Sequence, residues 1–438
     1  MLDEPSVRGY NSTMNTPFCI HRLGTGDENK MKITGIVAEY NPFHNGHAYQ
    51  IKKAREITGC DYCIAVISGD FVQRGAPALY SKHLRTRMAL LGGADLVFEL
   101  PSTHACESAE FFAQNAVGLL DGLGCVDVLS FGSESGTIEP FLKLGSFLSA
   151  ETPEYQNLIK KYLKKGESFP KARSLTLQEL LSDTDADTGT FLQTPNNILG
   201  VEYCKALCRQ NSTIQPLTVK REGNAYHDNS LNGQFPSASA IRALWKSADF
   251  KISDAAVSSC FPPAISALLS QTFSCPQFLD EEDFSPYLRW LLFSSDKAQL
   301  AAYQDVTPSF VQRLFHTRSS YESWGQYAAL LKTRELTYSR ICRMLMHCLL
   351  QISHVPALSY ARLLGFRRQA APVLSELKKH SSIPVITKAA DASSLLSDET
   401  AAVFSKNVEI SNLYETVWCE KYHTTFVHEY RKPLVILP

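Results

Sequence analysis

The fold is decided by the stretch Gly35-Ile-Val-Ala-Glu-Tyr-Asn-Pro-Phe-His-Asn-Gly-His47, in which an apolar run passes into two histidines. The β-branched residues around Ile33–Val37 predict a strand, and Asn41 with Pro42 predicts the turn that ends it. His44 and His47 then lie where a helix begins, and a helix N-terminus offers unpaired N–H groups and a partial positive charge. We therefore predict an anion site, suited to phosphate, at the carboxyl end of the first strand, where open parallel sheets bind ligands.

The pattern His-x-Gly-His at residues 44–47 resembles the signature of the HIGH-motif nucleotidylyltransferases. In those enzymes the motif stabilises the charge that develops on the phosphates of ATP during adenylyl transfer. Two nearby histidines can also be ordinary surface or N-capping groups. The position directly after a predicted strand favours the functional interpretation.

The bulk composition is that of an ordinary globular chain. It has 438 residues, of which 44% are hydrophobic and 20% charged, and this length suffices for two domains with their own cores. The formal net charge is -1, so contact with nucleic acid would need a local basic patch. No apolar run is long enough to span a membrane, and the first thirty residues lack a charged region followed by an apolar one. We expect a cytoplasmic protein.

Two patterns that can hold metals are present only in part. Of the twelve cysteines, only Cys60 and Cys63 have Cys-x-x-Cys spacing, and Cys63 falls in a predicted strand. The segment Asp183–Gly189 has the Asp-x-Asp-x-Asp spacing of a calcium loop but lacks the glutamate that completes it. We therefore expect structural thiols in a reducing compartment and no metal site made by the protein.

Short apolar runs alternate with helical patterns after residue 30, which predicts βαβ units and an α/β fold with a Rossmann-like parallel sheet. The predicted strands are Ile33–Ala38, Tyr62–Ile67, Leu96–Leu100, Val126–Phe131 and Leu217–Lys220. The predicted helices between them are His47–Ile57, Lys82–Leu91, Glu107–Leu123, Pro140–Leu148, Glu154–Lys164, Pro170–Leu181 and Asn197–Arg209.

After Trp245 strand signals fade and helical periodicity dominates. The helices predicted there are Pro286–Phe293, Ala298–Ala302, Pro308–Phe315, Tyr327–Leu331 and Ser339–Ile352, with a short extended segment at Val385–Thr387. We divide the chain into residues 1–30, an expected disordered extension, residues 31–245, the α/β domain, and residues 246–438, a mainly helical C-terminal domain. The sequence from Met31 resembles a natural protein start, which leaves Met1 and Met31 as alternative start sites.

A polar loop follows the second predicted strand, at Ser68–Gly75. Its glycines allow close approach of the backbone to a ligand, and Asp70, Gln73 and Arg74 supply polar groups. These three are candidate substrate contacts. A plain surface loop with a solvated arginine is an equally good interpretation.

Three more segments lie at predicted strand or helix ends. Gly132 would let adenine or ribose pack against bare backbone, although a glycine can simply end a strand. Asn196 or Asn197 could contact the same groups or serve as an N-cap. Arg221 at a strand end could clamp phosphates.

The segment Ser237-Ala-Ser-Ala-Ile-Arg242 opens a predicted helix. Hydroxyls and N–H groups beside a cation make a suitable cradle for β- and γ-phosphates, so Ser237, Ser239 and Arg242 are candidate phosphate ligands. One solvated arginine would be unremarkable, but two beside a histidine pair favour a phosphate site.

Together these motifs resemble those of the bacterial tRNA(Met) cytidine acetate ligase family, over essentially the whole chain from Met31. The resemblance is carried by Glu39–His47, Ser68–Gly75, Phe131–Glu134, Asn196–Gly200 and Ser237–Arg242. It implies activation of acetate by ATP to acetyl-adenylate with release of pyrophosphate. It further implies transfer of the acetyl group to the exocyclic amine of the wobble cytidine in elongator tRNA(Met), giving N4-acetylcytidine.

The resemblance also assigns residues to ATP. It makes residues 31–245 a HIGH-motif nucleotidyltransferase-like domain, with a loop formed by Val37, Ala38, Glu39, Tyr40, Asn41, Pro42, Phe43, His44, Asn45, Gly46, His47, Ala48, Tyr49 and Gln50. Further ATP contacts are expected at Gly132, Asn196, Arg221, Ser237 and Ser239, and Asn197 stays open as the alternative asparagine. We expect His44, His47, Arg221 and Arg242 to stabilise the pyrophosphate leaving group, with Mg²⁺ carried by the nucleotide.

The partners implied are elongator tRNA(Met), ATP and acetate, with no membrane and no obligate protein partner. The predicted tRNA contacts in the C-terminal domain are Arg367, Arg368, Lys378 and Lys379, in a basic cluster that also includes Arg362 and His380. A second basic run, Lys160–Lys165, is as well explained by a solvated helix face. No residue is an obvious general base for the cytidine amine, and Asp70 is only a weak candidate.

Two other functions were weighed. A small-molecule adenylyltransferase of coenzyme biosynthesis shares the His-x-Gly-His motif but would leave the whole helical region unexplained. A non-enzymatic RNA-binding protein on a decayed nucleotidyltransferase fold conflicts with the full set of phosphate-binding residues.

Overall fold

The computed structural model describes residues 30–181, 191–221, 237–246, 254–273 and 275–438. The predicted N-terminal extension apart from Lys30 and the acidic segment 183–189 lie outside the described residues.

The described residues build a sheet of eight strands with the order β10-β8-β5-β2-β1-β6-β7, in which β9 also pairs with β8. The strands are β1 (Ile33–Ala38), β2 (Tyr62–Ser68), β5 (Leu96–Leu100), β6 (Val128–Ser133), β7 (Gln215–Lys220), β8 (Ala361–Arg367), β9 (Val385–Ile386) and β10 (Val435–Leu437). A separate antiparallel pair is formed by β3 (Phe71–Val72) and β4 (Ala76–Pro77). Strands β5, β2, β1, β6 and β7 are all parallel, which confirms the predicted α/β class.

Helices connect and cover the strands. Those of the first half are α1 (Asn45–Thr58), α2 (Lys82–Leu91), α3 (Ser102–Ala105), α4 (Ala109–Gly122), α5 (Glu139–Ala150), α6 (Pro153–Lys164), α7 (Phe169–Leu180), α8 (Pro195–Arg209) and α9 (Ala238–Lys246). Those of the second half are α10 (Ala255–Ser258), α11 (Pro263–Thr272), α12 (Ser285–Ser294), α13 (Lys297–Ala301), α14 (Pro308–Thr317), α15 (Trp324–Leu330), α16 (Tyr338–Leu350), α17 (Ala371–His380), α18 (Ala392–Leu395) and α19 (Asp398–Tyr422). No helix in these ranges is long and apolar enough to cross a membrane.

The central strands are buried on both faces because helices cover both sides of the sheet. Two consecutive residues of β2 show this, because their side chains point to opposite faces of the sheet. Ile64 packs with α4, α5 and α8, and Ala65 packs with α1, α2 and α11. A further core, built mainly from α12, α14, α15, α16 and α19, holds the helical region together.

The C-terminal part departs from the sequence prediction. The short extended segment predicted at Val385–Thr387 is confirmed as β9, but β8 and β10 also join the sheet beyond residue 245, with β8 antiparallel to β5 and β10 parallel to β8. The 25-residue helix α19 was also not predicted. Strands from both sides of residue 245 therefore share one sheet, and the assignment of separate domains stays a prediction.

The strand order determines where a ligand site can form. The chain runs outward from β1 through β2 to β5, then crosses back and runs outward again through β6 to β7. In sheets of this kind, the crevice at the carboxyl ends of the two strands where the order reverses is the usual ligand site. Here those strands are β1 and β6.

Candidate functional site

The two histidines are fixed by the start of α1. His44 is the N-cap, and its Nδ1 accepts a hydrogen bond from the backbone N–H of Gly46 (3.1 Å). In return, Nδ1 of His47 accepts from the backbone N–H of His44 (3.2 Å). The arrangement is a capping box built from imidazoles, and the ring centroids lie 3.8 Å apart.

These bonds determine the protonation state of both rings. Because each Nδ1 accepts, the proton of each neutral imidazole lies on Nε2. Burial, together with the positive charges of Arg221 and Arg242, lowers the pKa of His44 to about 3. Burial, with His44 and Arg221, also lowers the pKa of His47. At neutral pH the pair therefore offers two neutral Nε2–H donors.

The backbone of α1 does not provide the anion site that we predicted from its N-terminus. The N–H of Asn45 donates to the carbonyl of Cys260 (3.0 Å), the N–H of Gly46 caps His44, and the N–H of His47 donates to the carbonyl of His44 (2.9 Å). Two backbone carbonyls and one imidazole therefore accept from the N–H groups that were expected to bind a ligand. The donors left for a phosphate are the Nε2 atoms and the neighbouring arginines.

Two aromatic residues of the predicted ATP loop pack against the ring of His47. The ring of Tyr40 lies 4.8 Å from that of His47 and the ring of Phe43 lies 5.5 Å from it. Both aromatic side chains are buried, and Val37 belongs to the core beneath the sheet. Burial therefore leaves the side chains of these three residues without access to a ligand.

The second arginine is tied to the same loop. Arg242 on α9 donates through Nη1 to the carbonyl of Asn41 (2.7 Å) and through Nη2 to Oγ of Ser239 (3.2 Å). Oγ of Ser237 caps α9 by accepting from the N–H of Ala240 (3.1 Å). The structure thus places the predicted segment 237–242 beside the loop that carries His44 and His47, which we call the histidine loop. The positive charge of Arg242 contributes to the low pKa of His44, which also shows that the two are close.

Gly132 and Arg221 lie together on the other side of β1. The N–H of Arg221 continues the pairing of β7 with β6 by donating to the carbonyl of Ser133 (2.9 Å). A methyl group placed on Gly132 would lie 3.5 Å from Cγ of Arg221 and 3.9 Å from Cδ of Gln50. Gly132 therefore forms the floor of a narrow gap between an exposed arginine and α1.

The two asparagines have different environments. Asn197 is buried, and its amide is fully engaged, since Oδ1 accepts from the N–H of Glu134 (3.1 Å) and Nδ2 donates to the carbonyl of Phe191 (3.1 Å). Asn196 is half-buried and donates from Nδ2 to Glu134 (2.6 Å). The geometry favours a structural role for Asn197 and leaves Asn196 as the candidate ligand.

The loop after β2 is anchored more firmly than its sequence suggests. Asp70 is buried and accepts from the N–H of Lys82 (2.8 Å), so the structure does not support it as a general base or substrate contact. The backbone N–H of Gln73 donates to Oε1 of Glu39 (3.1 Å), and its Nε2 donates to the carbonyl of Glu107 (2.9 Å). Arg74 is exposed. Of the three predicted contacts, only Gln73 and Arg74 lie where a substrate could reach them.

Arg85 was missed by the sequence analysis. Its fully buried guanidinium donates to the carbonyls of Glu39 (2.8 Å) and Ser68 (2.9 Å), which joins the loops after β1 and β2. The available signal was the position of a charged residue on the same face of α2 as Met88 and Ala89, three and four residues on.

The predicted tRNA contacts lie at the opposite edge of the sheet. They are Arg367, Arg368, Lys378 and Lys379. Because β8 is antiparallel to β5, the N–H of Arg367 reaches the carbonyl of Asp95 (2.8 Å), at the amino end of the parallel strands. The end of α17 also lies at that edge, with the carbonyl of His380 against Gly124. A six-residue strand spans about 20 Å, so these residues are about that far from the histidine loop.

The sequence analysis placed Arg362 in the basic cluster predicted to contact tRNA, but the structure does not place it on such a surface. It is buried and pairs with Glu99 (3.1 Å) and Glu429 (2.7 Å). The lysines at 160, 161, 164 and 165 are exposed, which fits either interpretation of that run.

Within the ranges that the structure describes, no three His, Cys, Asp or Glu side chains are grouped so as to hold a metal ion. Cys60 and Cys63 are free thiols, and burial raises the pKa of Cys63 well above its ordinary value.

Comparisons with known proteins match nearly the whole chain. The family model described as HIGH Nucleotidyl Transferase matches residues 31–427. A tRNA(Met) cytidine acetate ligase of Thermoanaerobacter sp. (strain X514) is 38% identical over 390 residues, which are 88% of this chain and 95% of the relative. One of Clostridium kluyveri is 40% identical over 372 residues, which are 82% of this chain and 90% of the relative.

Two solved structures are similar. Both are Thermotoga maritima TmcAL, at 29% identity, and each comparison covers 93% of this chain and 100% of that chain. The apo form gives a TM-score of 0.86, and the form bound with alpha-thio ATP gives 0.82.

Proposed function

The chain belongs to the tRNA(Met) cytidine acetate ligase family of the HIGH nucleotidyl transferases, and from this we propose that it is an ATP-dependent acetate ligase that modifies elongator tRNA(Met). The single observation that carries the proposal is the group of His44, His47, Arg221 and Arg242. It places two neutral Nε2–H donors and two cations at the carboxyl ends of β1 and β7 and the start of α9.

The first step is formation of acetyl-adenylate. A carboxylate oxygen of acetate attacks the α-phosphorus of ATP, the bond to the bridging oxygen breaks, and pyrophosphate leaves with that electron pair. Negative charge grows on the leaving group, and fixed donors aimed at it lower the barrier because they need no reorganisation. His44 and His47 donate hydrogen bonds to this charge without losing a proton, while Arg221 and Arg242 balance it.

The second step is acyl transfer. The exocyclic nitrogen of the wobble cytidine attacks the acetyl carbonyl, the bond to the AMP oxygen breaks, and the amine loses one proton. The mixed anhydride hydrolyses readily, so water must be kept from it until the cytidine arrives. The cytoplasm is the proposed compartment, because ATP and tRNA meet there.

We assign the nucleotide to the gap over β6 and β7. Gly132 leaves room for the nucleoside against bare backbone, and Asn196 and Arg221 border that gap. Ser237 and Ser239 lie with Arg242 at the start of α9, a suitable place for the outer phosphates. Mg²⁺ would be held mainly by phosphate oxygens and would neutralise part of their charge.

Arg367, Arg368, Lys378 and Lys379 keep their predicted role only in a limited form. At the amino edge of the sheet they would contact parts of the tRNA remote from the wobble base. The basic side chains nearest to the modified cytidine must come from the carboxyl edge.

The experiment is exchange of labelled pyrophosphate into ATP, with purified protein and no tRNA. We expect exchange that requires acetate and falls at least 100-fold in His47→Ala. The control is His354→Ala, which removes an exposed histidine from the loop after α16 and should leave exchange unchanged. Exchange that proceeds equally without acetate, or survives in His47→Ala, would contradict the assignment.

A further inference from the structure

The starting observation is a cation without a partner in the structure. Arg343 on α16 is half-buried, yet its guanidinium makes no hydrogen bond or ion pair with any residue in the described ranges. Burial lowers its pKa, which shows that its charge is costly where it lies. By contrast Arg340, one turn earlier, is paired with Asp305 (2.7 Å).

Arg343 lies at the carboxyl edge of the sheet. Gly75, at the end of the loop after β2, packs so closely on it that an added Cβ would lie 2.4 Å from the backbone nitrogen of Arg343. One turn on, Nε2 of His347 contacts the carbonyl of Cys106 (2.5 Å), just after β5. The face of α16 that carries Arg343 therefore covers the ends of β2 and β5.

Nearby carboxylates do not neutralise this arginine. Glu107, on the β5 side, acts on Arg343 through its charge, but no ion pair joins the two among the described residues. Burial raises the pKa of Glu107 to about 7, so at neutral pH it carries only part of a charge. The other acidic neighbour, Asp305, is occupied by Arg340.

The carboxyl edge of the sheet therefore has two halves, which carry different candidate residues. The proposed nucleotide residues lie over β1, β6 and β7, whereas Arg343 lies over β2 and β5. Gln73 bridges the halves, because it bonds to Glu39 in the histidine loop and to the carbonyl of Glu107. An acceptor that attacks the acetyl group must approach from the half that the nucleotide leaves open.

We propose that Arg343 binds a backbone phosphate of the RNA next to the cytidine that is acetylated. The inference rests on the proposed function and adds to it the place where the acceptor strand enters. A guanidinium matches the paired oxygens of a phosphate, and the exposed Arg74 on the neighbouring loop adds charge of the same sign. Acetate is the other oxyanion of the reaction, and the experiment separates the two.

The test compares Arg343→Gln and Arg343→Lys with the intact protein in two assays. In acetylation of elongator tRNA(Met), we expect Arg343→Gln to raise the KM for tRNA at least tenfold and to reduce the salt dependence of binding by about one phosphate contact. Arg343→Lys should recover part of the loss, since it keeps the charge but not the paired donors. The KM for acetate in pyrophosphate exchange should stay within about twofold.

The control is Arg313→Gln, which removes an exposed arginine of α14 and should leave both assays unchanged. A raised KM for acetate in Arg343→Gln would overturn the proposal in favour of acetate binding. An unchanged KM for tRNA would also overturn it, as would loss of exchange, which would place Arg343 in adenylation or folding. If the intact protein shows no acetate-dependent exchange, the proposed function fails, independently of Arg343.

Discussion

At the scale of single residues, the histidine pair combines two roles that the sequence presents as alternatives. Nδ1 of each ring caps the start of α1, as an ordinary N-cap would, and Nε2 remains for a ligand. The capping bonds fix the tautomer, so the structural role makes the proposed role in ligand binding possible. No proton has to be transferred for these donors to act.

The tautomer can be tested by substitutions of different length. In glutamine the amide nitrogen reaches the position of Nε2, whereas in asparagine it reaches only that of Nδ1. We expect His47→Gln to reduce acetate-dependent pyrophosphate exchange by about tenfold and His47→Asn by roughly 100-fold, the usual cost of losing a donor to developing charge. Equal losses in the two variants would contradict a role for Nε2.

The low pKa of His44 predicts a dependence of stability on pH. Its value of about 3, set by burial and then by Arg221 and Arg242, lies below the ordinary 6.5, so between these values the unfolded chain binds more protons. The contribution of His44 is therefore present above pH 6.5 and is lost as the pH falls toward 3, by at most about 1.4 kcal/mol per pH unit.

Urea unfolding of the intact protein and of His44→Gln between pH 7 and pH 4.5 measures this effect. The free energy of unfolding should fall less steeply with acid in the variant. Parallel curves would mean that His44 is protonated in the folded protein.

The sequence could identify these residues by type and position but not by environment. Asp70 lies in a polar loop and Arg362 in a basic patch of the sequence, yet both are buried in ion pairs, Asp70 with Lys82 and Arg362 with Glu99. Asn196 and Asn197 are adjacent and chemically identical, and both bond to Glu134, so what separates them is the burial of Asn197 and its bond to the carbonyl of Phe191. Such distinctions depend on tertiary contacts, which no local pattern encodes.

At the scale of elements, the site is a consequence of the strand order. β1 supplies the histidine loop, β6 supplies Gly132 and β7 supplies Arg221, and these strands are neighbours because the chain crosses back after β5. The parallel strands were predicted closely, since continuous apolar runs of four to seven residues are typical of sheets covered on both faces.

Gly132 and Gly200 provide a matched test. A side chain at Gly132 would fill the space that we assign to the nucleoside, whereas a side chain at Gly200 would clash with packed residues of the core. A methyl group at Gly132 would make only ordinary contacts, at 3.5 Å or more, whereas at Gly200 on α8 it would lie 2.5 Å from the ring of Phe141. We expect Gly132→Ala to change the free energy of unfolding by less than about 0.5 kcal/mol and to raise the KM for ATP at least tenfold.

Gly200→Ala should do the reverse, with a loss of about 1–3 kcal/mol in stability and little change in the KM for ATP. Urea unfolding and exchange kinetics on both variants measure these effects. A normal KM for ATP in Gly132→Ala would place the nucleoside elsewhere.

The elements that the sequence analysis missed are those whose partners lie far away in the chain. The sequence of β8 is short and partly basic. It forms a strand because β5 offers an open edge to pair with and because Glu99 neutralises Arg362. Strand propensity depends strongly on such context. α19 mixes polar and apolar residues without a strong period and is held by the helical core and by the bond from the hydroxyl of Tyr414 to the carbonyl of Ala78.

At the scale of the whole molecule, a buried ion network joins the C-terminal region to the sheet. Lys82 on α2 pairs with Glu99 (2.7 Å) and Glu429 (3.0 Å), and Arg362 contacts the same two carboxylates. Although burial raises the pKa of Glu429, the charges of Lys82 and Arg362 hold it well below its ordinary value. The network keeps the last residues of the chain against α2 and β5, next to the loop after β2.

Breaking this network should be costly. We expect Arg362→Met to lower the free energy of unfolding by about 3–5 kcal/mol, because two buried carboxylates lose a partner. Arg368→Met removes an exposed arginine six residues on and should change it by less than about 0.5 kcal/mol. Urea unfolding at pH 7 compares them, and a small effect of Arg362→Met would mean that Lys82 alone can balance the carboxylates.

The most direct test of the proposed reaction follows the oxygen atoms of acetate. The protein is incubated with ATP, elongator tRNA(Met) and acetate labelled with ¹⁸O at both oxygens, and the products are analysed by mass spectrometry. Attack on the α-phosphorus followed by acyl transfer predicts one ¹⁸O in the phosphate of AMP and one in the carbonyl of N4-acetylcytidine. Acetylcytidine formed with no label in AMP, or AMP attached to another acceptor, would contradict an acetyl-adenylate made at this site.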